Sequence, residues 1–283
     1  MIIQKIELQN WHKLEGKHIL SLDEADKIVF INYSGSHFSF YSAIMWCLYK
    51  EIPDDWTNTP NKNVSVCVEL NHDDNVYRLI RSQTGCTDET FTIQKQVSGG
   101  SWIDDTGESL NETLKALRYF TYREMGIYPP NDAKYIQSYT KNKNVFDESF
   151  LKNFNIIAND SLDKDWAGGK WEITYDKEYF FRIPNPETGK GNLFPLLDGG
   201  ERMRMMMILR TTLAASLKPQ LPLIVDGAIG CNSPSHVGAW IRILTKHSTL
   251  FPQWILFIRP ESLNDLQELS RGDLPLKILK FLN

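Results

Sequence analysis

Along the first hundred residues apolar and polar positions mostly alternate with a period of two, and that pattern predicts strands. Ile2, Ile6 and Leu8 fall on one face of an opening strand, and residues 1–31 are expected to hold two strands around a turn. The second of them, Lys27-Ile-Val-Phe-Ile31, is nearly continuous in apolar residues, as a strand covered on both faces would be. A β-meander follows: Val64, Val66, Val68 and Leu70 alternate with polar neighbours, a turn spans 71–75, and further strands are expected over 76–82 and 91–97. The period lengthens to that of a helix in 40–50, where Ala43, Ile44, Cys47 and Leu48 recur. A second helix is expected over 109–124, with Ser109 as its cap and Glu112 three residues on.

The remaining chain is first mixed, then regular. Residues 131–170 are polar, with a helix expected near 146–158, and 171–183 reads as a strand pair. Thereafter an amphipathic helix (203–217), an apolar strand (221–225), a helix (237–246) and another apolar strand (254–258) succeed one another. Such alternation implies an α/β layer with some parallel pairing. No internal repeat or low-complexity segment interrupts it.

Composition narrows the class without naming a chemistry. With 283 residues, 42% hydrophobic and 23% charged, the chain has the profile of a globular protein able to bury a large core. A formal charge of −4 argues against general adhesion to nucleic acid, although a local basic face is compatible with it. Lys141, Lys143 and Lys152 read as a solvated face in preference to a phosphate-binding strip. Cys47, Cys67, Cys86 and Cys231 are scattered, with neither CxxC nor zinc-ligand spacing, so reduced thiols, a cytoplasmic setting and no metal site are expected. No apolar run reaches the length of a membrane span.

The candidate chemistry lies at both ends of the chain. Leu197-Asp-Gly-Gly-Glu-Arg202 precedes the helix that leads to Leu221-Pro-Leu-Ile-Val-Asp226. This arrangement resembles the ABC ATPase signature, its helix and a Walker B strand. Ile3-Gln-Lys-Ile-Glu-Leu-Gln-Asn-Trp11 and Ala43-Ile-Met-Trp-Cys-Leu-Tyr49 resemble the opening strand and the post-P-loop helix of SMC, RecF and DndD heads. The resemblance implies an α/β fold: an ABC-type P-loop NTPase head with a mixed sheet, an antiparallel β-meander and flanking helices. It further implies one head over 1–283, with an N-terminal half (1–125), a short insertion (126–190) and a C-terminal half (191–283). No heptads run through the roughly sixty residues between Gln137 and Asp198, so the insertion stands where the family carries a coiled-coil arm.

Carried onto these positions, the motifs are degenerate. With Ser39 as the metal-ligand serine, Phe38 takes the place of the P-loop lysine and His37 that of the last glycine; Asn32 stands at the first glycine position and Gly35 survives. A Cβ at His37 obstructs backbone approach to phosphate. The missing lysine charge is worth about 4 kcal/mol at ~4 Å and an effective dielectric near 20. Asp226 persists, but Gly227 occupies the position of the glutamate that activates water, which costs roughly a factor of 10²–10⁴. The strand 254–258 is followed by Arg259-Pro260, not by a switch histidine. Gln137 matches the Q-loop glutamine, or is an ordinary surface residue. Asp198, Gly199, Gly200, Glu201 and Arg202 form the signature-like stretch, and Asp198 in the serine position repels a γ-phosphate or simply caps the helix.

The expectation is therefore a catalytically defective head, with no catalytic residue. It would serve as a structural or regulatory subunit of a nucleic-acid-processing or antiphage defence complex. No cofactor is expected, and ATP with Mg²⁺ is what a working pocket would take. Partners implied are other proteins, as a homo- or hetero-dimer of heads, with DNA reached through the complex and no membrane. The alternative is a divergent ATPase active only with a partner, or one completing a partner's site in trans through 197–202.

Overall fold

Alternation in the first hundred residues builds one sheet, and the short apolar runs build another. The computed structural model of the chain describes residues 1–11, 14–22, 28–33, 39–51, 63–85, 88–119, 121–123, 152–156, 188, 220–226, 252–258 and 276–281. In chain order these form β1 (Ile2–Trp11), β2 (Leu14–Ser21), β3 (Ile28–Tyr33), α1 (Ser39–Tyr49), β4 (Val64–His72), β5 (Asn75–Thr84), β6 (Asp88–Gln96) and β7 (Trp102–Asp105). After them come α2 (Glu108–Tyr119), β8 (Thr121–Arg123), β9 (Leu223–Asp226), β10 (Trp254–Ile258) and β11 (Leu276–Phe281). Residues 152–156 are also helical, within the expected helix at 146–158. The elements expected over 171–183, 203–217 and 237–246 lie outside the described residues.

The first sheet has the order β2-β1-β4-β5-β6-β7 and is antiparallel throughout. The second has the order β11-β3-β10-β9-β8, and its pairs are all parallel. The antiparallel β-meander expected beside the α/β layer is thus part of the first sheet, and among the described residues the second sheet is parallel. The opening segment supplies three strands instead of two, because the alternating stretch folds into the hairpin β1–β2 before the apolar run of β3 begins.

In β4 the pattern is regular: Val64, Val66, Val68, Leu70 and His72 are buried while the residues between them are half-exposed. In β1 it changes phase. A bulge between Ile3 and Lys5 shifts the register with β4, so the buried set is Ile3, Ile6 and Leu8 in place of the expected Ile2, Ile6 and Leu8. The β4–β5 loop is a two-residue turn in which Asp73 and Asp74 both take positive φ (48° and 60°), a twist that matches a hairpin.

The second helix is shorter than expected and is capped differently. Asp105 Oδ1 accepts from the Gly107 amide at 2.7 Å, and the Gly107 carbonyl accepts from the amides of Leu110 and Asn111. Ser109 therefore lies inside α2, its hydroxyl 3.3 Å from that of Tyr77. Helical pattern yields at 121–123, where Thr-Tyr-Arg pairs with β9 instead. The Thr121 hydroxyl donates to the Leu117 carbonyl (2.9 Å), and Arg118 Nη1 donates to the Thr121 carbonyl (3.1 Å), which fixes the helix-to-strand corner.

Helix α1 is buried from Phe40 to Leu48, with no solvent face over that stretch. Such a helix needs cover on every side. It packs against β1, β4 and β5, with Trp46 tilted 40° onto Trp11 at 5.2 Å between centroids, and it meets β10 through Tyr41, edge-on to Phe257 at 6.3 Å. Its C-terminal end is met by Arg81, which donates from Nε to the Cys47 carbonyl at 3.1 Å and pairs with Glu89. Among the described residues no helix is long and apolar enough to cross a membrane.

The side chain of Gln253 links the two sheets. Pairing of β2 with β1 stops at Lys5, beyond which Ile3 would be left with an unsatisfied N–H and C=O. Gln253 fills both: its Oε1 accepts from the Ile3 amide and its Nε2 donates to the Ile3 carbonyl, each at 2.9 Å and buried. The Gln253 carbonyl in turn accepts from the Leu223 amide at 2.9 Å.

Two outcomes follow. Gln253→Leu strands both Ile3 groups in an apolar setting, so urea unfolding is expected to show a loss of about 2–4 kcal/mol, against a few tenths for Gln94→Leu on the exposed face. His72 is buried, with Nε2 3.4 Å from Asp73 Oδ2 and 3.5 Å from Thr113 Oγ1. Burial holds its imidazole below the usual histidine range, against the pull of Asp73. The unfolded chain then binds the extra proton first, so this contribution to stability is lost as pH falls below about 6.5. Thermal melts over that window are expected to show a smaller pH-dependence for His72→Gln than for the parent chain.

Candidate functional site

Ligands of open α/β sheets bind outside the carboxyl ends of the strands, and the residues singled out in the sequence converge there. The chain leaves β3 at Tyr33 and enters α1 at Ser39, the strand–loop–helix order expected of a phosphate-binding segment. At the same edge β10 lies between β3 and β9, with Asn32 in register with Ile258 and Asp226 in register with Phe257. On the far side of β9, Asp226 is in register with Arg123 of β8.

Asn32, Ser39 and Asp226 are thus brought to one edge of one sheet. Asp226 ends a strand in which all four residues are buried, and is itself 4% exposed. Gly35, His37, Phe38, Gln137, Gly227, Asp198, Gly199, Gly200, Glu201 and Arg202 lie outside the described residues. Two neighbours of this edge were not legible beforehand. Arg123 fell inside a predicted helix. Tyr41 was one more aromatic on a helix with no polar side to orient it.

This architecture matches solved structures. No protein-family model and no curated protein matches the sequence. An SMC head domain from Thermotoga maritima superposes with a TM-score of 0.55 at 15% identity, over 98% of this chain and 94% of that one. An Smc head bound to the C-winged helix domain of ScpA gives 0.67 at 15% identity, over 94% and 92%. An Smc head domain with an extended coiled coil, bound to the C-terminal domain of ScpA and derived from Pyrococcus furiosus, gives 0.57 at 12%, over 93% and 91%. The chain has the fold of an SMC head domain. Coverage of nine-tenths or more on both sides means that the head is matched as a whole, not as an isolated supersecondary unit.

The residue types at this edge differ in what they offer a magnesium–nucleotide. Ser39 and Asp226 are oxygen donors of the right class for a hard cation, and both stand at the carboxyl edge. The loop between β3 and α1, Ser34-Gly-Ser-His-Phe38, carries no lysine or arginine to offset phosphate charge. The two described thiols, Cys47 and Cys67, offer no substitute chemistry. Burial pushes Cys47 up to about 12, its Sγ 3.2 Å from the Leu79 carbonyl, and pushes the half-exposed Cys67 up to about 12 as well. Neither is a nucleophile near neutral pH.

Proposed function

We propose that the chain is a catalytically defective SMC-like head that acts as a structural or regulatory subunit. One juxtaposition carries the reading. The head fold retains β3, α1 and the Asp226 strand end, while the loop between β3 and α1 has no cation and Gly227 follows Asp226. Scaffold and chemistry have parted: the buried elements that hold the head together persist, and the residues that would neutralise phosphate and activate water do not. A neutral side chain at position 38 forfeits about 4 kcal/mol of attraction for a phosphate charge. Without a carboxylate at 227, attacking water loses its base, roughly a further factor of 10²–10⁴ in rate.

A subunit of this kind works through what it binds. Two of the matched heads are described as bound to ScpA domains, and by that likeness the partner proposed here is a protein, either a second head or a subunit docked on this one. The setting is a nucleic-acid-processing or antiphage defence complex in the cytoplasm, with DNA contacted through the assembly. The short stretch 126–190 in place of an arm suits a head that is held by its neighbours. Phosphate release from ATP by the purified chain is the direct check. Turnover no greater than that of Asp226→Ala is expected, and turnover that Asp226→Ala abolishes would overturn the proposal.

A further inference from the structure

The exit of α2 gathers contacts from two other elements onto one guanidinium. Arg118 Nε donates to Glu51 Oε1 at 2.6 Å, just beyond the end of α1, and its Cζ lies 5.6 Å from the centre of the Tyr49 ring, the last residue of that helix. Its Nη1 donates to the carbonyl of Thr121, the first residue of β8 and fully buried. Tyr49 adds a second tie in the same place, its hydroxyl donating to the Leu114 carbonyl of α2 at 3.1 Å. An isolated exposed ion pair contributes little, because it is screened and two long side chains must be ordered to make it. Arg118 differs from that case. One planar fork serves a carboxylate, a backbone carbonyl and a ring face at once, which an ammonium on a flexible stem does not do.

The topology gives these contacts reach. Helix α1 follows β3 and starts at Ser39, so its 11 residues run about 16 Å from the carboxyl edge of the parallel sheet to Tyr49. Strand β8 runs toward the same edge: Thr121 is in register with Ile224, and two residues later the strand reaches the level of Asp226. With three residues, and paired among the described strands with β9 alone, β8 has few ladder hydrogen bonds of its own. Its start is held from α2 instead, by the Thr121 hydroxyl on the Leu117 carbonyl and by Arg118. The far end of α1 and the start of β8 therefore meet at one side chain.

We infer that Arg118 is a coupling residue: it ties the end of α1 to the start of β8, so that the helix after β3 and the strand beside β9 keep one position relative to each other. The role is one of positioning, exerted from a distance, and it holds whether or not the edge takes a nucleotide. The side chains of Arg118 and Glu51 are 38% and 46% exposed, so the tie is within reach of solvent ions. Ionic strength weakens it by screening, while the buried aromatic packing of α1 is left as it is.

The test is amide hydrogen exchange on the full chain, read by mass spectrometry, with segments 121–123 and 223–226 compared against the β4–β5 hairpin. Arg118→Gln is expected to speed exchange in the two segments about tenfold and to leave the hairpin unchanged. Raising salt to about 1 M, where screening acts within about 3 Å, is expected to act in the same direction on the parent chain and to add nothing in Arg118→Gln. Arg118→Lys, which keeps the charge and loses the fork, is expected to recover part of the protection. Equal acceleration in the hairpin, no acceleration in the two segments, or no recovery with Lys would overturn the inference. Should Arg118→Gln not fold, Glu51→Gln and the salt series on the parent chain decide by the same comparison.

Discussion

Gln253 does with one side chain what an additional strand would otherwise have to do. The bulge in β1 turns Ile3 into the core at the place where β2 no longer pairs, and an amide with one donor end and one acceptor end meets both of its backbone groups. Because the Gln253 carbonyl also accepts from Leu223, the antiparallel sheet is referenced to the start of β9 through a continuous set of buried hydrogen bonds. Helix α1, enclosed by β1, β4 and β5 and touching β10 through Tyr41, can be buried along nearly its whole length only if both sheets keep that spacing. The edge that carries Asn32, Ser39 and Asp226 depends on the same constraint.

That dependence separates the stability of the head from nucleotide chemistry. Trp11, Trp46, Trp254, Phe40 and Phe257 are all essentially buried, and they supply the packing that fixes α1 and β10. Large aromatic side chains contribute most per residue to such a core. None of this packing requires a phosphate in the loop. A head can therefore lose the charge and the water-activating carboxylate and still present the same outer surface to a partner.

Much of the fold was legible because its strands are either strictly alternating or wholly apolar. Strands β4, β5, β9 and β10 and helix α1 lie close to where periodicity put them, and the likeness to SMC heads was readable from Ile3–Trp11, Ala43–Tyr49 and the strand ending at Asp226. What was not legible came from tertiary choices. The bulge that exchanges Ile2 for Ile3 leaves no local mark. Strand β8 overrides a helical pattern because β9 offers it an open edge. Strand β11 hides because Lys277 and Lys280 break its apolar run, as suits a strand at the edge of a sheet. At the site, residue types could be read from the motif positions, whereas the neighbours Arg123 and Phe257 emerge only from register.

The central claim is that this head has kept its architecture and given up its nucleotide. Titration calorimetry of ATP with Mg²⁺ into the purified chain tests it most directly. The account predicts no binding heat at millimolar ATP, since a loop without a cation faces a fully charged triphosphate. Saturable binding in the micromolar range would contradict it, and would mean that the segment from Asn32 to Ser39 holds phosphate by means that its residue types do not reveal.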